Sequence, residues 1–120
     1  MPKPKRPTLA QMNHALNWGA EWLRLRDWTF TLTYNDEFPH WEDEDDGSPA
    51  AVLCDKYRRH ADIHIRPGEC EGQNHGIIES LFHELVHVRL LKAAYEVEDM
   101  LHKEWLANDF AAIMRKAYHK

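Results

Sequence analysis

The chain has 120 residues and a formal net charge of −5 at pH 7. This length allows one hydrophobic core but not two, and the acidic balance gives no reason to expect nucleic acid as the main partner. No run of residues approaches the roughly 18 consecutive apolar residues of a membrane-spanning helix, so we expect no membrane association.

The N-terminal residues 1–7 are basic and rich in proline, and no apolar stretch follows them. A secretory signal needs such a stretch, so we predict a disordered leader here and a single folded domain over residues 8–120. Cys54 and Cys70 are too few for a disulfide framework. We therefore expect both cysteines to be reduced thiols in a cytoplasmic protein.

Residues 8–26 predict the first helix. Thr8 and Gln11 form a T-x-x-Q pattern, in which the two side chains satisfy backbone N–H groups at a helix N-terminus. Apolar side chains then recur at helical spacing, at Leu9, Met12, Leu16 and Leu23.

Three strands are predicted next. Residues 28–34 alternate between large apolar side chains and threonine, which is typical of a half-buried strand. The second and third strands are predicted over residues 51–57 and 59–66. Between the first two strands, residues 35–49 predict a polar loop, and we interpret its acidic run at 42–47 as a solvated tip rather than a calcium site.

The most informative stretch is His83-Glu84-Leu85-Val86-His87, an H-E-x-x-H pattern on a helix predicted to begin near residue 74 or 75. Histidines four residues apart on a helix project from one face and can reach one ion. Catalytic zinc takes three protein ligands and leaves one position for water. Glu84 can then remove the proton of that water as it attacks a carbonyl, so the pattern predicts zinc-assisted hydrolysis.

A third zinc ligand must come from elsewhere in the chain. The side chains downstream that could supply it are Glu96, Glu98, Asp99, His102 and Glu104. One straight helix from His87 to Glu104 would separate the two residues by about 25 Å. We therefore predict a chain reversal near residues 93–97 and a last helix over about 97–118.

Residues 104–112 read E-x-x-A-N-x-F-A-A. This pattern resembles the second metal-binding helix of the ImmA/IrrE-like metallopeptidases, and the order of elements is similar to that of the minimal gluzincins, several of which are encoded by phages. The resemblance implies an α+β, zincin-like fold: an N-terminal helix, a small three-stranded sheet, the H-E-x-x-H helix and a C-terminal ligand helix. It also implies that Glu104 is the third ligand, with His83 and His87.

His102 is the alternative ligand, because SprT-like proteases also carry H-E-x-x-H and take a third histidine from further along the chain. Their glycine-flanked histidine is not matched around His102, so we favour Glu104. The two positions lie about 200° apart around a helix, so only one of them can face the metal. Asn108, one turn beyond Glu104, is expected either to support a ligand or to make a polar contact between helices.

The resemblance implies a zinc metalloendopeptidase that cleaves a protein or peptide substrate, which in ImmA/IrrE relatives is a regulatory protein. It also implies that the edge strand beside the active helix binds substrate, for which we propose residues 61–65 of the third strand. Candidates for stabilising the oxyanion are Tyr57, His75 and Tyr95, and His60 and His64 are expected to be exposed strand residues. The alternatives are a zinc-containing regulatory or binding module with little hydrolysis, and a structural or nucleic-acid-associated phage protein whose metal joins two helices.

Overall fold

A computed structural model describes residues 6–42, 47–71, 76–92 and 100–119, with only the backbone of 92 and 100–103. Four helices and three strands follow one another along these ranges, and the predicted α+β class is confirmed. The elements are α1 (Leu9–Trp22), β1 (Thr29–Tyr34), β2 (Ala50–Asp55), β3 (His60–Ile65), α2 (Pro67–Glu71), α3 (Ile77–Lys92) and α4 (Met100–Tyr118). None of the helices in the described ranges has the length and apolar content that crossing a bilayer demands.

The first helix has the predicted start and a shorter end. The Thr8 hydroxyl accepts a hydrogen bond from the Gln11 backbone, and the Gln11 side chain accepts one from the Thr8 backbone. The helix ends four residues earlier than predicted, because Arg24 adopts a φ of 58° and reverses the chain there. The Leu25 N–H donates to the Ala20 carbonyl at 2.7 Å, which is the hydrogen bond of a Schellman C-terminus.

The three strands form one mixed sheet in the order β1-β3-β2. Strand β3 is parallel to β1 and antiparallel to β2, so it lies in the middle of the sheet. The prediction that the third strand is the substrate-binding edge is therefore wrong. Strand order depends on long-range pairing, which the local alternation of side chains does not encode.

The core lies between one face of the sheet and the helices. Side chains of α1, α3, α4 and β3 form it, and the largest of those that are fully buried include Met12, Ile63, Phe82, Leu85 and Met114. Leu81, Leu85 and Val88, whose helical spacing predicts the H-E-x-x-H helix, are thus core positions. The opposite face of the sheet carries the threonines of β1, as its alternation predicts.

His64 is a second point of difference, because the predicted exposed strand histidine is buried. The loop after β1 folds over this end of the sheet, so that the Trp41 ring meets the His64 ring edge to face. The His64 Nε2 atom lies 3.3 Å from the carbonyl oxygen of Asn35. His60, by contrast, is partly exposed and lies within hydrogen-bond distance of the Thr29 and Thr31 hydroxyls.

Helix α2 is not predicted, since Pro67 and Gly68 indicate only the end of a strand. Proline fits the first position of a helix because it lacks the N–H that would have no partner there. The Asp36 carboxylate accepts a hydrogen bond from the Gly68 N–H at 2.6 Å and so ties the loop after β1 to this helix. On the predicted leader, Arg6 forms an ion pair with Glu71, and residues 1–5 lie outside the described ranges.

Gly19 allows α1 and α3 to approach closely, which gives a prediction about stability. A Cβ atom at this position would lie 2.7 Å from Leu85 Cδ1 and 3.2 Å from two atoms of the Phe82 ring. We expect Gly19→Ala to lower the free energy of unfolding by about 1–2 kcal/mol, because overpacking outweighs the gain in helix propensity. Gly76→Ala is the control, since nothing lies within 4 Å of a Cβ there. Urea unfolding that ranks the two variants equally would contradict this packing.

Candidate metal centre

Three side chains from two helices bring their metal-binding atoms together. The His83 and His87 Nε2 atoms are 3.1 Å apart on α3. One Glu104 carboxylate oxygen, from α4, lies 2.9 Å from His87 Nε2, and the other lies 3.2 Å from His83 Nε2. Among the described residues, these three form the one group of histidine, cysteine and acidic side chains with the spacing to hold a metal ion.

The dimensions of this group fit a tetrahedral ion. Ligand atoms that are 2.0–2.1 Å from zinc and occupy the corners of a tetrahedron lie about 3.3–3.4 Å apart. The two imidazole nitrogens are 3.1 Å apart, and each lies 2.9–3.2 Å from one of the two Glu104 carboxylate oxygens. Small adjustments of these side chains would therefore bring both nitrogens and a carboxylate oxygen to bonding distance. The fourth corner of such a tetrahedron is left for a water molecule or a substrate atom.

The antiparallel packing of α3 and α4 creates this group. His83 and His87 are one turn apart and share a face of α3. Farther toward the start of α3, Glu79 Oε1 lies 3.3 Å from Arg115 Nε, near the end of α4. Contacts with α3 near both ends of α4 therefore fix the register of the two helices, and this register places Glu104 next to the histidines. The reversal predicted near residues 93–97 lies outside the described ranges.

Glu84 lies beside the three-atom group without belonging to it. Its side chain is 8% exposed. Burial, and to a smaller degree the carboxylates of Glu104 and Glu42, raises the pKa of Glu84 from 4.5 to about 8. A divalent cation on Glu104 would act in the opposite direction and favour the ionised form of Glu84.

This raised pKa predicts how the stability of the metal-free protein depends on pH. The folded state holds the Glu84 proton up to about pH 8, whereas the unfolded state releases it near pH 4.5. The folded state thus binds more protons in this window, and the free energy of unfolding falls as pH rises through it. Urea unfolding in chelator should show Glu84→Gln gaining stability relative to wild type between pH 5 and 8. A difference that does not change with pH would contradict the burial of this carboxyl group.

Two cavities open on either side of the metal-binding group. The first, which we name the His83 cavity, has a volume of about 300 Å³. The second, the His87 cavity, has a volume of about 380 Å³. Both are bordered by Ser48, Ala50, Glu84 and Glu104. Glu84 and Glu104 therefore lie where the two cavities meet.

Strand β2 provides the remaining wall of this cleft. Ala50, Ala51 and Val52 border the His87 cavity, and Pro49 borders the His83 cavity. The Arg66 N–H donates to the Pro49 carbonyl at 2.8 Å. Because paired residues alternate along an antiparallel ladder, the backbone groups of Ala50 and Val52 then point away from β3. This edge of the sheet offers main-chain donors and acceptors along the cleft.

Several predicted site residues lie elsewhere or outside the described ranges. Tyr57 is highly exposed in the turn between β2 and β3, and no contact joins it to the metal-binding group. Asn108 borders the His83 cavity one turn beyond Glu104. The side chains that lie outside the description are His75, Tyr95, Glu96, Glu98, Asp99 and His102.

Sequence reasoning missed two residues that border the cleft. Arg66 is buried and borders the His87 cavity. Residues 61–66 of the predicted third strand alternate between apolar and polar side chains, which places Arg66 on the polar face and predicts an exposed side chain. Glu79 is also buried and borders the His83 cavity. A signal was available for Glu79, because it lies four residues before His83 and so shares the same helix face. No local pattern identifies Arg66.

Comparison of the chain with protein-family models, with characterised proteins and with solved structures gives no match.

Proposed function

We propose that the protein is a zinc-dependent peptidase in which His83, His87 and Glu104 hold the metal. The observation that carries the proposal is the position of Glu84. A metal site that only joins two helices has no use for a buried carboxylate beside the ligands, and burying one is costly. A hydrolytic site needs such a group as its base.

The donor set favours zinc over other common ions. Two imidazole nitrogens and one carboxylate oxygen are typical of a catalytic zinc site, whereas magnesium and calcium prefer oxygen ligands alone. Both histidines present Nε2 to the shared point, and zinc binds an imidazole through an unprotonated nitrogen. Zinc affinity should therefore weaken as pH falls and the rings become protonated.

The proposed reaction is the addition of water to a peptide carbonyl, followed by cleavage of its C–N bond. Bound zinc supplies Lewis-acid activation of the water and of the carbonyl oxygen. The Glu84 carboxylate accepts one proton from the water molecule as the water oxygen bonds to the carbonyl carbon. The protonated Glu84 then donates this proton to the nitrogen of the leaving amine, and the carboxylate is restored.

The edge of β2 supports an extended peptide as the substrate. A peptide that pairs with the outward backbone groups of Ala50 and Val52 would lie along the cleft, at the level of Glu84 and Glu104. Such main-chain pairing recognises the extended conformation rather than one sequence. We therefore keep the proposal that an edge strand binds the substrate, and we assign this role to β2 instead of β3.

The likeness of residues 83–87 and 104–112 to the ImmA/IrrE pattern supports a regulatory protein as the natural substrate, in a cytoplasmic and phage-related setting.

The experiment that tests the peptidase function uses purified protein loaded with one equivalent of zinc and incubated with unfolded casein in ¹⁸O-labelled water. We expect new C-termini that carry ¹⁸O, their loss on chelation, and their return when zinc is restored. Stoichiometric zinc without any such product would favour the alternative, a regulatory or binding module.

A further inference from the structure

The direction of β2 assigns the two cavities to opposite sides of the scissile bond, provided that the proposed peptidase function holds. Along the chain, Pro49 borders the His83 cavity and Val52 borders the His87 cavity. Antiparallel pairing is the more stable kind per residue, and a substrate strand paired in this way with β2 runs from the His87 cavity to the His83 cavity. The side chain of the residue before the scissile bond then enters the His87 cavity.

Apolar side chains form part of the wall of the His87 cavity. Phe38, Pro39 and Val52 contribute side chains there. Glu42 and Arg66 also border the cavity, and Glu69 is 3.8 Å from the Arg66 guanidinium. The Arg66 charge opposes that of Glu42, and a bound divalent cation would offset the charges of Glu84 and Glu104, which also border the cavity. The cavity of the zinc-loaded protein therefore does not strongly favour a substrate side chain of either sign. Its volume of about 380 Å³ is ample for a large apolar side chain.

Arg66 holds the wall of this cavity together. Its Nε donates to the Asp36 carbonyl at 3.2 Å, and its Nη1 lies 3.5 Å from the Ser48 carbonyl oxygen. Its guanidinium carbon is 5.7 Å from the centre of the Phe38 ring, within the range of a cation–π contact. One buried side chain therefore links both ends of the loop between β1 and β2 and supports the ring that borders the cavity.

We infer that Arg66 is a positioning residue for substrate, and that the wall it supports selects a large apolar side chain immediately before the scissile bond. Lysine cannot replace it, because an ammonium group has no planar fork to reach both carbonyls while lying against an aromatic ring. Loss of Arg66 should let the Phe38 wall move without disturbing the ligands on α3 and α4.

A peptide mixture randomised at the residues flanking the cleavage site tests this inference. With zinc-loaded wild type, we expect Leu, Phe and Met to exceed Asp and Lys by at least tenfold before the scissile bond. Arg66→Lys and Phe38→Ala should each remove most of this preference. For the best peptide, each should raise KM by about tenfold and change kcat by less than threefold, with zinc stoichiometry unchanged.

The matched controls are Arg59→Lys and Phe110→Ala, which alter exposed side chains that do not border either cavity. Hydrogen exchange of residues 36–42 should become faster in Arg66→Lys and stay unchanged in Arg59→Lys. If wild type cleaves the mixture but Arg66→Lys and Phe38→Ala keep its preference and KM, the inference fails while the peptidase function stands. If wild type cleaves no peptide, the peptidase function fails and this inference fails with it.

Discussion

Glu84→Gln is expected to lower kcat of the zinc-loaded protein by about 10³-fold, within the 10²- to 10⁴-fold range of general acid–base catalysis. Glutamine has nearly the same shape as glutamate but cannot accept the proton of the attacking water. The side chain lies beside the metal-binding group rather than within it, so zinc content should stay at one equivalent. Steady-state hydrolysis of one fluorogenic peptide, together with metal analysis of the same samples, measures both quantities.

Glu79→Gln is the matched control for this loss of activity, because it removes another buried carboxylate from the same helix and cavity. Glu79 pairs with Arg115 and is not one of the three side chains with the spacing to hold a metal ion, so we expect kcat to fall by less than about tenfold. Equal kcat in wild type and Glu84→Gln would exclude Glu84 as the base. A large loss in both variants would show that the cleft needs its negative charge rather than one particular base.

Glu104→Ala is expected to weaken zinc binding by at least about 100-fold. Loss of a residue that only supports a ligand typically lowers metal affinity by about 10- to 100-fold, and loss of the ligand itself should lower it at least as much. The Glu104 carboxylate reaches both histidines, so alanine leaves two imidazoles and no anionic donor. Two protein ligands are too few for a catalytic zinc site. Competition with a chromophoric chelator measures the zinc dissociation constant of each variant.

Asp109→Ala is the control for this change, since it removes an exposed carboxylate from the same helix. Its zinc affinity should match that of wild type within about threefold. His83→Ala and His87→Ala should weaken binding at least as much as Glu104→Ala does. Retention of wild-type affinity in Glu104→Ala would point to another ligand, and a second titration with His102→Ala would then identify whether that residue supplies it.

The elements with strong local patterns could be predicted from the sequence. The uninterrupted alternation of residues 28–34 predicts β1 to within one residue, and the Thr8 and Gln11 pattern locates the start of α1. The apolar spacing around the H-E-x-x-H pattern predicts α3 because its core face repeats every turn. The four-residue spacing of His83 and His87 on this helix likewise predicts that both side chains lie on one face.

Features that depend on contacts between distant segments could not be predicted. The edge strand beside the cleft is β2 rather than the predicted β3, because β3 pairs with a strand on both of its sides. Burial of His64 and Arg66 depends on a loop that folds back over the end of the sheet, although strand alternation assigns both residues to the polar face. The proximity of Glu104 to the histidines could be predicted only through the resemblance of the E-x-x-A-N pattern to a known family. The spacing of residues alone left several acidic residues and His102 as candidates for the third ligand.

The central claim is that one ion binds where α3 and α4 meet. A crystal structure of the zinc-loaded protein, with anomalous difference maps recorded on both sides of the zinc absorption edge, tests it most directly. We predict a single strong peak about 2.0–2.1 Å from Nε2 of His83 and His87 and about 2.0–2.2 Å from a Glu104 carboxylate oxygen. A zinc peak located elsewhere, or one at the two histidines with Glu104 turned away from it, would contradict the account.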